Sequence, residues 1–441
     1  MIKQLENLCT SPNIIIIDNN SSCKYTQSYI ATIKKYDVLK QDTNYGHLVW
    51  KNPLIFNMLP DKFILSDPDL ELNKNTPKNF LDIMVKISDE YKSEKVGFAL
   101  DISEPEKMFN YKFSDFGYNG ISTIRESQKQ YWSNRVERND YEMYFSDIDT
   151  TFCLYNKTCK GQHIRIAGDF TMKHLPWYIE LGGMSRFCRY LMYKDATQAS
   201  SIKSFELKYL SDNNIIPIKK RNETFLIKLG DKRNDHFWND IYSNWESETF
   251  DIFDKYLDPN KQFLDIGAWI GTTCLYASRK SSYVVCVEAD PISVEKLKTN
   301  ILLNYFGVQV DVENSAIYNE TTKILFGPNS SSNTSNFKDS MSQIKLIQTK
   351  KNDILTNTIT FNDIIHKYNL NNLSLIKVDI EGGEEFILGE ILEYIKISKI
   401  PAYISFHYSW WNDKNLDRFS NLSYTNKNEI KNNPFCSILF S

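Results

Sequence analysis

Three segments in the second half of the chain set acids and glycines in positions suited to chemistry. The first, Phe263-Leu-Asp265-Ile-Gly267-Ala-Trp-Ile-Gly271, is an apolar run that ends in an acid and a Gly-x-x-x-Gly turn. Glycine allows backbone conformations and close approaches that a Cβ forbids, and open α/β sheets bind nucleosides outside the carboxyl ends of their strands. The spacing is not Gly-x-Gly-x-x-Gly and no helix start is reserved for a pyrophosphate, which argues against a nicotinamide dinucleotide. The second is Glu288, at the close of Tyr283-Val-Val-Cys-Val-Glu-Ala-Asp-Pro291, placed to accept both hydroxyls of a ribose. The third is Leu375-Ile-Lys-Val-Asp379-Ile-Glu381-Gly-Gly-Glu384, in which Asp379 and Glu381 fall on the same side of an extended chain. Crowded carboxylates repel one another, which calls for a metal, a shared proton or a hydroxyl-bearing substrate. A helix start that favours acids through its dipole accounts for Glu384 and leaves the others unexplained.

The first half carries a different set. Phe63-Ile-Leu-Ser-Asp67-Pro-Asp69 is an apolar strand running into two aspartates one residue apart, a pattern able to hold a divalent cation that bridges a nucleotide diphosphate. Upstream, Ile14-Ile-Ile-Ile-Asp18-Asn19 ends another strand, and Asn44-Tyr-Gly-His47 follows in a loop. Downstream lie Asp147-Ile-Asp149 and Ala167-Gly-Asp-Phe-Thr-Met-Lys-His174-Leu-Pro-Trp-Tyr178. For Asp149 and His174 a turn acid and a packed histidine are the alternatives to a functional role.

These residues need strands to present them. Apolar runs alternate with polar helical stretches, the pattern of α/β layering. Strands are expected at Asn13 to Ile17, Phe63 to Leu65, Val96 to Ala99, Gln262 to Ile266, Tyr283 to Val287 and Ser374 to Val378, with helices from Thr76 to Tyr91, from Gly271, and through Leu297. The rhythm breaks in the polar stretch from Asp195 to Asn222, so the chain reads as two α/β domains, 1–195 and 223–441, joined by a linker at 196–222. The Ser/Asn-rich segment Pro328 to Phe337 buries no core and reads as a loop, either a lid beside a site or an inert insertion.

Composition narrows the function. Among 441 residues, 52 basic side chains against 55 acidic ones give a net charge of -3, which excludes a general nucleic-acid binder, whose phosphate contacts need a basic surplus. Aromatic residues reach 14%, enough for sugar or base stacking beside ordinary core packing. The eight cysteines lack a repeated spacing and read as reduced thiols; Cys153 and Cys159 find no second pair to complete a zinc site. No apolar run is long enough to span a membrane and the N-terminus does not read as a signal peptide, so a cytoplasmic protein is expected, in a host cytoplasm if viral.

Taken together, Asp265-Ile-Gly-Ala-Trp-Ile-Gly271, Val287-Glu-Ala-Asp-Pro291 and Ile376-Lys-Val-Asp-Ile-Glu-Gly-Gly-Glu384 resemble the FkbM family of class I S-adenosylmethionine-dependent methyltransferases over about 220–441, with Asp235-His-Phe-Trp238 and Trp245-Glu-Ser-Glu-Thr-Phe250 as entry helices and Ile404-Ser-Phe-His407 as a late strand. The resemblance implies a Rossmann-like fold and O-methylation of a sugar or polyketide hydroxyl. It implies Asp265, Gly267 and Gly271 around the methionine part of S-adenosylmethionine, Glu288 on the ribose, and Asn314, Ser315 and Ala316 at the adenine. Asp379, Glu381 and His407, in that order, are candidates for the base that takes the hydroxyl proton. The segments of residues 1–195 resemble a GT-A-type glycosyltransferase that lacks its usual opening strand. That resemblance implies a nucleotide-sugar donor, Mn²⁺ or Mg²⁺ on Asp67 and Asp69 with His174 as a further contact, Asp18 at the nucleoside, Asp149 as acceptor base, and a glycan acceptor. The combined expectation is a bifunctional enzyme that transfers a sugar and methylates a sugar hydroxyl. A methyltransferase behind a non-catalytic carbohydrate-binding or scaffold domain is the alternative.

Overall fold

The structure, a computed structural model, describes all residues other than 23, 119–121, 138–139, 150, 181–183, 195–200, 231, 306, 329–341 and 346–352. The chain forms two compact units: Met1–Gly183 with Arg189–Tyr209, and Met184–Cys188 with Leu210–Ser441. No helix among the described residues is long and apolar enough to cross a membrane.

The first unit opens with the helix Ile2–Leu8 and contains β1 (Ile15–Asp18), β2 (Asp37–Lys40), β3 (Lys62–Leu65), β4 (Leu70–Leu72), β5 (Lys95–Leu100), β6 (Arg135–Val136), β7 (Met143–Phe145), β8 (Cys153–Asn156) and β9 (Ile164–His174). A parallel pair, β1–β2, stands apart from a seven-stranded mixed sheet of order β3-β8-β5-β9-β7-β6, in which β4 also pairs with β9. The helix Phe80–Tyr91 turns Phe80, Met84 and Ile87 onto that sheet at helical spacing, where they meet Phe98, Phe152 and Ile164.

The second unit holds β10 (Ile215–Lys220), β11 (Glu223–Lys228), β12 (Gln262–Ile266), β13 (Tyr283–Val287), β14 (Gln309–Glu313), β15 (Ala316–Ile317), β16 (Lys323–Pro328), β17 (Ser342–Lys345), β18 (Ile354–Ile359), β19 (Leu373–Val378), β20 (Ala402–His407) and β21 (Phe435–Phe440). Its main sheet has the order β14-β13-β12-β19-β20-β21, parallel except for β20–β21, and a smaller sheet has the order β15-β18-β16-β17. Strand order reverses between β12 and its neighbours β13 and β19, which opens a crevice at their carboxyl ends. Parallel strands are covered on both faces, and Phe263 with Leu264, Val284 with Val285 and Leu375 with Ile376 are accordingly buried without alternation. Helix Glu384–Ser398 supplies Ile387, Leu388, Ile391 and Ile395 to one of those faces.

Every expected strand forms, within about two residues of its expected span. The expected linker is a difference. Within 196–222 the helix Ser201–Asp212 and strand β10 are formed, and β10 pairs with β11. The polar residues of this stretch concealed buried Ile202, Phe205, Leu210, Ile215 and Ile218, too irregularly spaced to announce an element. The Ser/Asn-rich segment at 328–337 lies outside the described residues apart from Pro328.

Gly267 and Gly271 both have positive φ, +87° and +101°. Ligand approach was the expected reason, but their bare Cα atoms face the protein itself. A Cβ on Gly267 would sit 1.8 Å from the Asp379 carbonyl oxygen, and one on Gly271 would sit 3.3 Å from Leu297. Gly267→Ala is therefore expected to cost about 2–4 kcal/mol in urea unfolding, whereas Gly230→Ala, where a Cβ meets nothing within 4 Å, should stay within about 0.5 kcal/mol of the parent.

Candidate functional site

A cavity of about 590 Å³ opens at the carboxyl ends of β12, β13, β19 and β20, with Glu288, Lys377, Asp379, Glu381 and His407 in its wall. Three non-glycine residues that line it, Glu246, Trp269 and Glu381, have φ of 44°, 47° and 54°. Left-handed backbone costs such residues about 1–3 kcal/mol each and persists where the surroundings impose it, which is common at functional sites.

Beneath the cavity lies a buried charge cluster. Asp265 and Lys377 are register partners on β12 and β19, so their side chains leave the sheet on the same side. The Lys377 ammonium lies 3.7 Å from Asp265 Oδ1 and 3.4 Å from Asp379 Oδ2. Burial alone would lower the Lys377 pKa, but Asp379 and Asp265 outweigh it and raise it. Burial raises the pKa of Asp265 despite Lys377 and the Thr273 hydroxyl, which donates to its Oδ2 at 2.6 Å.

Above it, the turn after β19 brings Asp379 and Glu381 to the end of β20. His407 Nε2 is 3.8 Å from Asp379 and 3.4 Å from Glu381, while its Nδ1 is 3.0 Å from Glu384. The two acids meet because Glu381 adopts left-handed backbone after the strand has ended, a different cause from the extended alternation expected. Glu384, 1% exposed, also accepts from Trp411 Nε1 and the Gly382 amide. Burial pushes the Glu381 pKa up to about 8; for His407 burial acts downwards, but Glu384, Asp379 and Glu381 prevail and hold it up to about 9.

Glu288 stands where expected. Its Oε2 accepts from the Trp269 amide and its Oε1 from the Asp290 amide, both at 2.8 Å, and burial pushes its pKa up to about 7. Ser315 and Ala316 line the cavity. Asn314 instead donates to the carbonyls of Glu288 and Ala289, bracing the strand end. Asp265 and Gly271 sit behind the cavity wall, while Gly267 lines it.

Sequence reasoning missed Lys377, Glu246 and the role of Glu384. A lysine inside an apolar strand, quoted in the motif itself, was the signal for Lys377. Glu246 gave none, since it sits at the left-handed N-cap of helix Ser247–Tyr256, where burial and Asp379 push its pKa up to about 6. That turn is held by Lys220, buried, whose ammonium donates to the carbonyls of Tyr242 and Ser243 and lies 4.2 Å from the Phe250 ring centre. The expected entry helices differ in form: 232–236 is a short helix that runs into a π-helix at Phe237–Ile241.

In the first unit, antiparallel pairing of Leu70 with His174 brings Asp69 beside the histidine, Nε2 to Oδ1 3.8 Å. Asp149 adds its charge there, although burial dominates and lowers the His174 pKa. Asp67, Asp69 and His174 do not assemble as a three-residue metal set; among the described residues that arrangement is met by Asp379, Glu381 and His407. Asp18 closes its own turn by accepting from the Ser21 amide, and Asn19 ties β1 to the loop by donating to Asn44 and the Gly46 carbonyl.

A strand-order reversal, an acid at the second strand end and a buried acid behind the first mark this cavity as the candidate site of the second unit. Residues 265–424 match the family model of the Methyltransferase FkbM domain. No curated protein matches the chain. Among solved structures it is similar to the methyltransferase FkbM from Methylobacillus flagellatus KT, at 19% identity over 34% of this chain and 33% of that one, with a TM-score of 0.23. It is also similar to Methanocaldococcus jannaschii Trm5 in complex with adenosine, at 18% identity over 23% and 30%, TM-score 0.17. A third is Haemonchus contortus phosphoethanolamine N-methyltransferase 2 in complex with S-adenosyl-L-methionine, at 10% identity over 98% and 89%, TM-score 0.17. The chain spans about a third of the length of the first two. The family match does not reach the first unit.

Lys377→Met would leave Asp265 buried without its cation, a loss of about 3–5 kcal/mol at neutral pH. Protonated Asp265 suits an apolar site, and a proton bound by the native state but not the unfolded one stabilises the fold, so the deficit should shrink as pH falls from 7 towards 5. Urea unfolding across that range, with Lys377→Met/Asp265→Asn predicted to recover much of the loss at pH 7, checks the pairing.

Proposed function

We propose that the second unit is an S-adenosylmethionine-dependent O-methyltransferase acting on a hydroxyl of a glycan. The observation that carries the reading is the sharing of one cavity by Glu288, anchored through two backbone amides at the strand end, and the Asp379, Glu381 and His407 cluster. The cavity volume falls in the range of cofactor sites, and the buried Trp269 Nε1 in its wall has no hydrogen-bond partner. When bound, S-adenosylmethionine supplies an electrophilic sulfonium methyl.

The residues of the chain do the rest. Glu288 accepts the ribose hydroxyls, Ser315 and Ala316 border the base, and the Gly267 turn borders the methionine part. Phe237, Trp269 and Phe435 give the wall flat apolar faces of the kind that pack on sugar rings. Asp379, Glu381 and His407 orient the acceptor hydroxyl, and Asp379 takes up its proton as the methyl–sulfur bond breaks and the new C–O bond forms.

For the first unit we propose sugar transfer from a nucleotide-sugar donor assisted by Mn²⁺ or Mg²⁺. The supporting observation is the approach of Asp69 to His174, with Oδ1 of Asp69 buried and lacking a hydrogen-bond partner. Titration with UDP, GDP and dTDP, with and without Mn²⁺, is expected to find one nucleotide bound in a metal-dependent way that Asp69→Asn removes. If none binds, the first unit is a carbohydrate-binding or scaffold domain.

S-adenosylhomocysteine is expected to bind the second unit, and ionised Glu288 is the form that accepts the ribose. With a Glu288 pKa of about 7, the dissociation constant should rise about tenfold between pH 8 and pH 6, and Glu288→Gln should bind weakly with little pH dependence. Absence of S-adenosylhomocysteine binding at every pH would overturn the methyltransferase reading.

A further inference from the structure

We propose that Asp379, Glu381 and His407 form a divalent-cation site in the wall of the second unit's cavity, with Glu384 as the residue that positions its histidine. Three elements supply the ligands: the end of β19, the left-handed turn after it, and the end of β20. One atom from each residue lies within 4.8 Å of the other two. The separations from His407 Nε2, 3.4 and 3.8 Å, are too long for hydrogen bonds. They suit donors gathered around one ion, because bonds of about 2.0–2.2 Å to a common metal set neighbouring ligand atoms roughly 3–4 Å apart.

The tautomer is arranged for the same purpose. Glu384 is buried and takes donors from Trp411 Nε1 and the Gly382 amide, so at His407 Nδ1 it also calls for a hydrogen. With one proton kept on Nδ1 by Glu384 and the Nε2 proton displaced by the ion, the imidazole turns its Nε2 lone pair to the site between the two carboxylates, the carboxylate–histidine–metal order seen at metal centres. Trp410 stacks on the ring at 5.2 Å and Phe435 meets it edge-on, which fixes the plane of the imidazole. Asp379 divides its oxygens, Oδ2 to Lys377 and Oδ1 to the proposed ion.

Charge leads to the same conclusion. Three carboxylates, Asp379, Glu381 and Glu384, face the one imidazole of His407, and a divalent cation at its Nε2 offsets their surplus. Two carboxylates and one imidazole form a mostly hard donor set that suits Mn²⁺ or Mg²⁺ better than a thiophilic metal. The chemical role rests on the methyltransferase reading above: such an ion would bind the acceptor hydroxyl and lower its pKa, so that the proton leaves more readily as the methyl arrives.

The test is Mn²⁺ binding to the full chain, followed by electron paramagnetic resonance without any nucleoside present. One Mn²⁺ equivalent is expected to disappear in Glu381→Gln and in His407→Gln, and to remain in Asp69→Asn, which separates this site from the first unit. Glu384→Gln should weaken that equivalent about 10–100-fold. Unchanged stoichiometry and affinity in both Glu381→Gln and His407→Gln, or no binding to the parent chain up to about 1 mM, would overturn the proposal. Parallel titrations with S-adenosylhomocysteine show that each variant is folded and keep the two readings apart. Mn²⁺ binding without S-adenosylhomocysteine binding refutes the methyltransferase reading alone, and the converse refutes the metal site alone.

Discussion

The Lys377 ammonium, held between Asp265 and Asp379, is the constraint on which the second unit is built. It is 2% exposed, in the middle of a sheet whose buried residues are mostly apolar. A charge so placed is tolerable only with partners, and the parallel register of β12 and β19 supplies one directly opposite and another at the strand end. Pairing the strands one residue out of step would strand both the lysine and Asp265, so the ion pair specifies register as well as charge balance.

From that pair the site grows outward. Asp379 ends β19 with its amide donating to the Ile266 carbonyl and its own carbonyl pressed against Gly267, which locks the first glycine turn to the acidic turn. The two loops that border the cavity are thus one mechanical piece. Trp269, at φ 47°, offers its amide to Glu288, and Glu381, at φ 54°, faces His407. The strain of these residues is sustained by the packed sheet beneath them, the usual condition for preorganised groups at a site.

The two units pose the same kind of problem with different degrees of completion. In the second, two acids of one turn converge on a histidine from another strand, and a third acid just beyond that turn fixes the histidine from behind. In the first, β4–β9 pairing brings Asp69 to His174, while Asp18 belongs to a separate two-stranded sheet. The shared feature is a carboxylate beside a half-buried imidazole, and the surrounding residues decide what each pair can do. Burial lowers the His174 pKa, whereas three carboxylates raise that of His407.

The sequence by itself determined the strands and the acids at their ends, because apolar runs and Gly-rich turns are local signals that fold as they read. Phe263 to Ile266, Tyr283 to Val287 and Leu373 to Val378 form where hydrophobicity placed them, and Glu288, Asp379 and Glu381 border the cavity. The sequence did not show that residues 201–220 are structured, since their few buried side chains have no clear period. Only the tertiary structure decided which residues meet across long separations: Lys377 with Asp265, Glu384 with His407, and Glu246 with the acidic turn. Those meetings depend on strand register and on left-handed backbone at Glu246, Trp269 and Glu381, which local propensity disfavours and only the packing of distant segments can impose.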